Sequence, residues 1–146
     1  QNGMPILLTN QEELPKQTNA ALIALSPKQA IVVGGTAAVS DNVLKSLPNP
    51  KRIGGKDRYE TAVNVAKHFD LDANHYYVAT GKQFADALAG AALAANHHTG
   101  ILLVGTSVSG HVEGFLTSEG VDTLTVIGGE NAVSAKVFEQ LAKIVE

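Results

Sequence analysis

Two stretches of the chain are versions of one pattern. IVVGGTAAVS at residues 31–40 and VIGGENAVS at 126–134 share an apolar run, a glycine pair and a closing serine, and PILLT at 5–9 is matched in the same way by GILLV at 100–104. The two matches keep a common offset apart from one inserted residue, so the repeat is one large unit and not a short solenoid module. Residues 1–50 match only the C-terminal half of that unit, residues 51–146 contain all of it, and SLPNPK at 46–51 reads as a linker between them. With about one and a half copies, the chain holds a half unit that cannot close its own core, so that half must pack on the whole unit or on another chain.

Short apolar runs alternate with helical patterns throughout. Strands are expected near 6–9, 30–33, 52–53, 76–80, 101–104 and 124–127, and helices near 14–25, 41–47, 58–69, 84–95, 109–118 and 135–145. This is βαβ alternation, and runs such as IVV, ILLV and LTVI fit strands buried on both faces. The expected fold class is α/β, a largely parallel sheet flanked by helices. A chain of 146 residues, 45% of them hydrophobic, can build that core without a single cysteine. The net charge of −3, with both signs interspersed, gives no general attraction for nucleic acid or for an anionic membrane, so any anion site must be local. No apolar run is long enough to span a bilayer. Gln1 does not open a signal peptide, so a targeting segment is taken as removed or left out, and export stays open.

The stretch RIGGKDRYETA at 52–62 opens the whole unit. After Asp57 the apolar positions Tyr59, Ala62, Val63, Ala66 and Phe69 fall on one helical face, and Asp57 with Glu60 three residues on resembles a capping box. Arg58 then lies in the first turn, where a cation opposes the helix macrodipole by roughly 0.3–1 kcal/mol unless an acid or a bound anion compensates. Helix physics alone does not account for it. Five expected strands run into glycine: Gly34 and Gly35, Gly54 and Gly55, Gly81, Gly105, and Gly128 and Gly129. All fall at strand C-terminal ends, the edge where open α/β sheets take ligands and where helix N-termini suit anions, and Lys56, Arg58 and Lys82 add charge there. The plainer reading is that the glycines supply tight turns and the cations are solvated. FADALAGAALAA at 84–95 is a helix of small residues fit for a close interface, with Asp86 in its first turn. An ion pair of Asp86 with Arg58 or Lys56 is expected.

No other chemistry stands out. None of the glycine pairs forms a dinucleotide or phosphate-loop pattern, and no serine sits in a nucleophile elbow. His68, His97 and His98 lie near helix C-termini, His75 and His111 lack a ligand partner at helical spacing, and no metal site is expected. DLDAN at 70–74 lacks the glycine and closing glutamate of a calcium loop.

Together, RIGGKDRYETA (52–62), ATGKQFADALAGAALAA (79–95), GILLV (100–104) and VIGGENAVS (126–134) resemble the cell wall binding repeat type 2 family of Gram-positive surface proteins. The resemblance covers 51–146 in the family's order, and its second half recurs in 5–47. It implies a non-catalytic, cofactor-free module, extracellular on a Gram-positive cell wall, that anchors a partner domain by binding anionic secondary wall polymers such as teichoic-acid-like polysaccharide. Carried over by motif position, Arg58 is the residue to watch, with Asp86 orienting it. Lys56, Lys82, Arg52, Gly54, Gly55, Gly81, Gly128 and Gly129 complete the expected polymer-binding set. The family's repeats usually occur three in tandem as a pseudo-threefold assembly. A half and a whole repeat therefore imply an excised piece of a longer array, or a short form that restores the arrangement as a homo-oligomer, a trimer being the expected case. Two other readings stand beside this one: a structural oligomerisation module with no polymer affinity, and an enzyme or nucleotide-binding domain using the same glycine-rich edge.

Overall fold

The computed structural model describes residues 3–69 and 74–146; most of the DLDAN segment lies outside them. Helices and strands alternate as α1 (Lys16–Leu25), β1 (Ala30–Val33), α2 (Asp41–Lys45), β2 (Pro50–Ile53), α3 (Arg58–His68), β3 (His75–Thr80), α4 (Phe84–Asn96), β4 (Ile101–Val104), α5 (Gly110–Glu119), β5 (Thr123–Ile127) and α6 (Ala135–Ile144). The fold is α/β, with every strand pair parallel.

β3 is the centre of a three-stranded sheet ordered β4-β3-β5. Its residues from Tyr76 to Thr80 are all buried, which is why HYYVAT reads as a continuous apolar run. Tyr76 and Val78, with Leu102 and Val104 of β4, face a core closed by Val63 and Ala66 of α3, Val112, Phe115 and Leu116 of α5, and Val137 and Leu141 of α6. α4 covers the opposite face. A Cβ on its Gly90 would come within 3.0 Å of Ile101 and 3.2 Å of Ile127, so the helix lies close across β4 and β5. This is the close interface expected of an alanine-rich helix. Its outer side is open, with Phe84 and Leu88 exposed.

β1 and β2 form a separate two-stranded sheet in the register Ala30↔Pro50 to Val33↔Ile53. SLPNPK runs directly into this sheet: Ser46 caps α2, and Pro50 and Lys51 begin β2. Proline is tolerated at a strand's first residue because its missing N–H leaves the rest of the ladder intact. The core under β1 is small, Val32, Val39 and Val43 against Leu14, Leu44 and Leu47. α3 packs against both β2 and β4 and so bridges the two sheets.

The sequence repeat is also a repeat of conformation. Gly34 and Gly128 take φ of 128° and 112°. After each, two N–H groups converge on one carbonyl: Ala38 and Val39 on Gly35, Ala132 and Val133 on Gly129. α1 and α5 are both 10 residues long, and both end in a left-handed cap, Ser26 and Gly120. The match fails at one place. Residues 6–9 were expected to form a strand like β4 and do not. β4 is a strand because β3 pairs with it from Tyr77↔Ile101 to Thr80↔Val104, whereas among the described residues no strand lies beside 6–9. Backbone groups without a ladder partner stay with water and with side chains; here the Leu8 carbonyl accepts from Thr18 Oγ1 at 2.6 Å.

Candidate functional site

The site is built around the N-terminus of α3. Asp57 Oδ1 accepts the N–H groups of Tyr59 and Glu60 at 2.8 and 2.9 Å, satisfying two donors that the first turn leaves free. The reciprocal bond of the expected capping box lands one residue earlier, from Lys56 N–H to Glu60 Oε2 at 2.6 Å. Thr61 Oγ1 accepts from Gly55 N–H at 3.0 Å, and Asn64 Nδ2 donates to the Gly54 carbonyl at 2.9 Å. The helix thus holds the whole Gly54 to Asp57 turn with its own side chains. Both acids of this turn are spent on backbone donors, and the Lys56 and Arg58 side chains stand exposed beside them.

α4 leaves β3 on one face of the sheet and α5 leaves β4 on the other, so a crevice opens between Gly81 and Gly105 at the strand ends. In open α/β sheets this is the ligand position. Here it is filled by Tyr59. A Cβ at Gly81 would meet the Tyr59 ring at 2.7 Å, and one at Gly105 would meet its hydroxyl oxygen at 2.8 Å. These glycines admit a side chain of the same chain. Gly54 is similar: its Cβ would press within 2.8 Å of the Gly34 backbone, so glycine is what lets β2 lie against the β1 turn. Nothing in the sequence patterns marked Tyr59 for this role. The usable signal was two glycines at neighbouring strand ends next to a helix that begins with an aromatic residue.

Of the cations expected at this edge, Arg58 places Nη1 on the Gly81 carbonyl, next to exposed Lys82, and Lys56 stands one turn-residue before the helix. Lys56, Asp57 and Arg58 also rim a cavity of about 670 Å³ whose walls are Val33 and Ala38 on one side and Ala62 and Leu103 on the other. Arg52 lies elsewhere. Its Nη1 donates to the carbonyls of Gly34 and Val39, both at 2.8 Å, and its Nη2 pairs with Asp41 at 3.1 Å. The guanidinium is turned inward on the β1–α2 turn and clamps β2 to it. Gly128 and Gly129 are exposed at the end of β5, away from α3. Among the described residues Asp86 forms no ion pair with Arg58 or Lys56. α4's docking across β4 and β5 carries its first turn toward β5, and the Asp86 carboxylate lies 2.8 Å from where a Cβ of Gly128 would stand.

Three of the five histidines have polar partners: His75 Nε2 with Thr125 Oγ1 at 2.8 Å, His97 Nδ1 with Tyr77 OH at 2.6 Å, and His111 with Glu60 of the α3 turn at 3.9 Å. Among the described residues no three potential metal ligands converge. Chemically, the arrangement offers an exposed group of cations at a helix N-terminus, which suits phosphate or carboxylate.

Comparison with known proteins agrees with the repeat and the fold. The family described as Cell wall binding domain 2 (CWB2) matches residues 1–44 and 52–138. The chain is 36% identical over 141 residues to N-acetylmuramoyl-L-alanine amidase LytC of Bacillus subtilis, covering 96% of this chain and 28% of that protein. It superposes on the structure of Cwp6 from Clostridium difficile with a TM-score of 0.84 at 34% identity, over 96% of this chain and 23% of that one. An uncharacterized protein of Pyrococcus horikoshii is 36% identical over 107 residues, 68% of this chain and 32% of its own length. The chain thus spans about a quarter of LytC and of Cwp6. Its two copies of the β-turn-helix pattern, its parallel sheets and these matches together place it in the cell wall binding domain 2 family.

Proposed function

We propose that this cell wall binding domain is a non-catalytic anchor whose ligand is an anionic secondary wall polymer of the teichoic-acid-like class, gripped by Arg58, Lys56 and Lys82. The observation that carries this reading is the state of the α3 N-terminus: its acids are occupied with backbone N–H groups while three cations remain at the surface around it. Arg58 opposes the helix dipole and, beyond the Gly81 carbonyl that accepts from its Nη1, has no acidic partner among the described residues, so an external anion would lower its energy further. The crevice that would take a nucleotide is filled by Tyr59, which favours a surface site over an enclosed one.

In this reading residues 1–50 are the C-terminal half of a repeat unit and residues 51–146 a complete one. The chain works outside the cell on a wall of the Gram-positive type, as part of proteins whose other domains do the chemistry. The Pyrococcus relative shows that the sequence pattern itself extends beyond bacteria. Each site is shallow, and affinity comes from several sites on one polymer, so self-association of the chain raises retention.

The test is retention of the purified chain on intact wall sacculi, with and without chemical stripping of the anionic polymer. Binding is expected to vanish on stripping and to weaken as salt rises from 0.05 M to about 0.5 M, because the exposed charges are screened beyond about one Debye length. Arg58→Ala and Lys82→Ala are each expected to lower retention several-fold in a folded chain, with an unchanged melting temperature for Lys82→Ala and a lower one for Arg58→Ala, which also loses its bond to the Gly81 carbonyl. Full retention by both folded variants removes these cations from the site.

A further inference from the structure

Glu60 faces two ways. Its Oε2 accepts from the Lys56 N–H at 2.6 Å, which holds the turn that carries Lys56 and Arg58, and its Oε1 stands 3.9 Å from Nδ1 of His111. His111 is the second residue of α5, so this contact ties the start of α5 to the start of α3. At 3.9 Å a neutral imidazole makes no hydrogen bond to the carboxylate, whereas a charged one makes an ion pair with it. The contact therefore acts in only one protonation state of the ring. The His111 side chain is 48% exposed and that of Glu60 21%, so the ring exchanges protons with water while the carboxylate is already fixed by its backbone bond.

The other groups around the ring do not replace this pairing. The next charge that α3 turns toward α5 is Lys67, whose Nζ lies 5.8 Å from the centre of the Phe115 ring, one turn further along α5. On α5 itself Glu113 is two residues on, a spacing that does not face His111, and the free N–H groups of the first turn oppose a cation there. β4, which also packs on α5, carries no charge. At this end of α5 the contact from α6 is uncharged, Gln140 Oε1 accepting from Val108 N–H at 3.2 Å; Lys136, Glu139 and Lys143 are exposed and form no ion pair among the described residues.

We propose that His111 is a positioning residue that makes the anion site pH-sensitive, acting through Glu60. The proposal rests on the anion-binding reading of the α3 N-terminus. With His111 neutral, Lys56, Arg58 and Lys82 are set against Asp57 and Glu60, three cations against two acids. With His111 charged the balance is four against two, and the added charge sits on the acid that underlies the Lys56 turn. Glu60 meets both demands at once because each goes to a different oxygen. A bound phosphate or carboxylate then feels less of the Glu60 charge, and its affinity rises as pH falls through the imidazole range, about pH 8 to 5.

The experiment measures retention of the full chain on intact wall sacculi at constant low salt, from about pH 8 to about pH 5.5, for the unsubstituted chain, His111→Gln and His111→Lys. Changes in the polymer's own charge act on all three alike, so comparison at each pH isolates the ring. The unsubstituted chain is expected to match His111→Gln at the upper pH and to exceed it by about two- to fivefold at the lower one, as for one charge added near a partly exposed site. His111→Lys is expected to show the higher retention throughout. The same pH profile in His111→Gln as in the unsubstituted chain overturns the inference. A second readout needs no polymer: the NMR shift of the Lys56 backbone amide is expected to follow the titration of the His111 ring, and to stay flat in His111→Gln. An amide that ignores the ring also overturns it. Absence of retention at every pH, with the amide still following His111, defeats the polymer reading alone and supports the coupling.

Discussion

Ser26 and Gly120 close equivalent helices in the left-handed region, at φ 44° and 63°, and only one of them is glycine. A residue with a Cβ pays steric strain there that glycine does not. Ser26→Gly is therefore expected to stabilise the chain by about 0.5–1 kcal/mol, read as a rise in the urea midpoint with an unchanged slope. Gly81 carries the opposite expectation. Its Cβ would stand 2.7 Å from the Tyr59 ring, so Gly81→Ala should cost about 1–3 kcal/mol as a small-to-large change in a filled site. Tyr59→Leu in the same molecule should recover part of that loss, and additive effects of the two substitutions would mean that they do not touch.

Elements show what a repeat pattern does and does not determine. Apolar runs placed β1 and β4 to the residue, because each needs only a periodic sequence and a partner that the chain supplies. The same run at 6–9 misleads, because a strand is defined by its neighbour and that neighbour lies outside the local sequence. The practical contrast is sharp. Leu8→Asp is expected to change stability by no more than about 0.5 kcal/mol, whereas Leu102→Asp, at a fully buried position, should prevent folding. Circular dichroism of the two variants separates them. The candidate site was legible in part for the same reason. Asp57 as a cap and the cations at the sheet edge follow from local spacing, while the inward turn of Arg52 and the reach of Asp86 toward Gly128 depend on how α4 and β2 are docked. Arg52 illustrates the cost of that blindness: Arg52→Ala leaves the Gly34 and Val39 carbonyls without their charged donor and should destabilise by about 2–3 kcal/mol. Asp41→Asn, which removes only the outer ion pair, should cost less than about 1 kcal/mol.

At the scale of the whole molecule, the boundary proposed between repeat units at residue 51 does not coincide with the boundary between sheets. β2 spans that position and pairs with β1, and Gly34 N–H bonds the Ile53 carbonyl at 2.8 Å to extend the ladder. This has a mechanical consequence for any tension applied along the chain. The chain enters β1 at Ala30 and leaves β2 at Ile53, and the strands are parallel. Tension applied through the two ends of the chain therefore draws the strands past each other along their length. Their bonds resist together in shear; pulled from the same end, they would peel apart one at a time. Rupture under load is set by the unfolding rate and not by equilibrium stability, so the β1–β2 pair meets tension along the chain with all its bonds loaded at once.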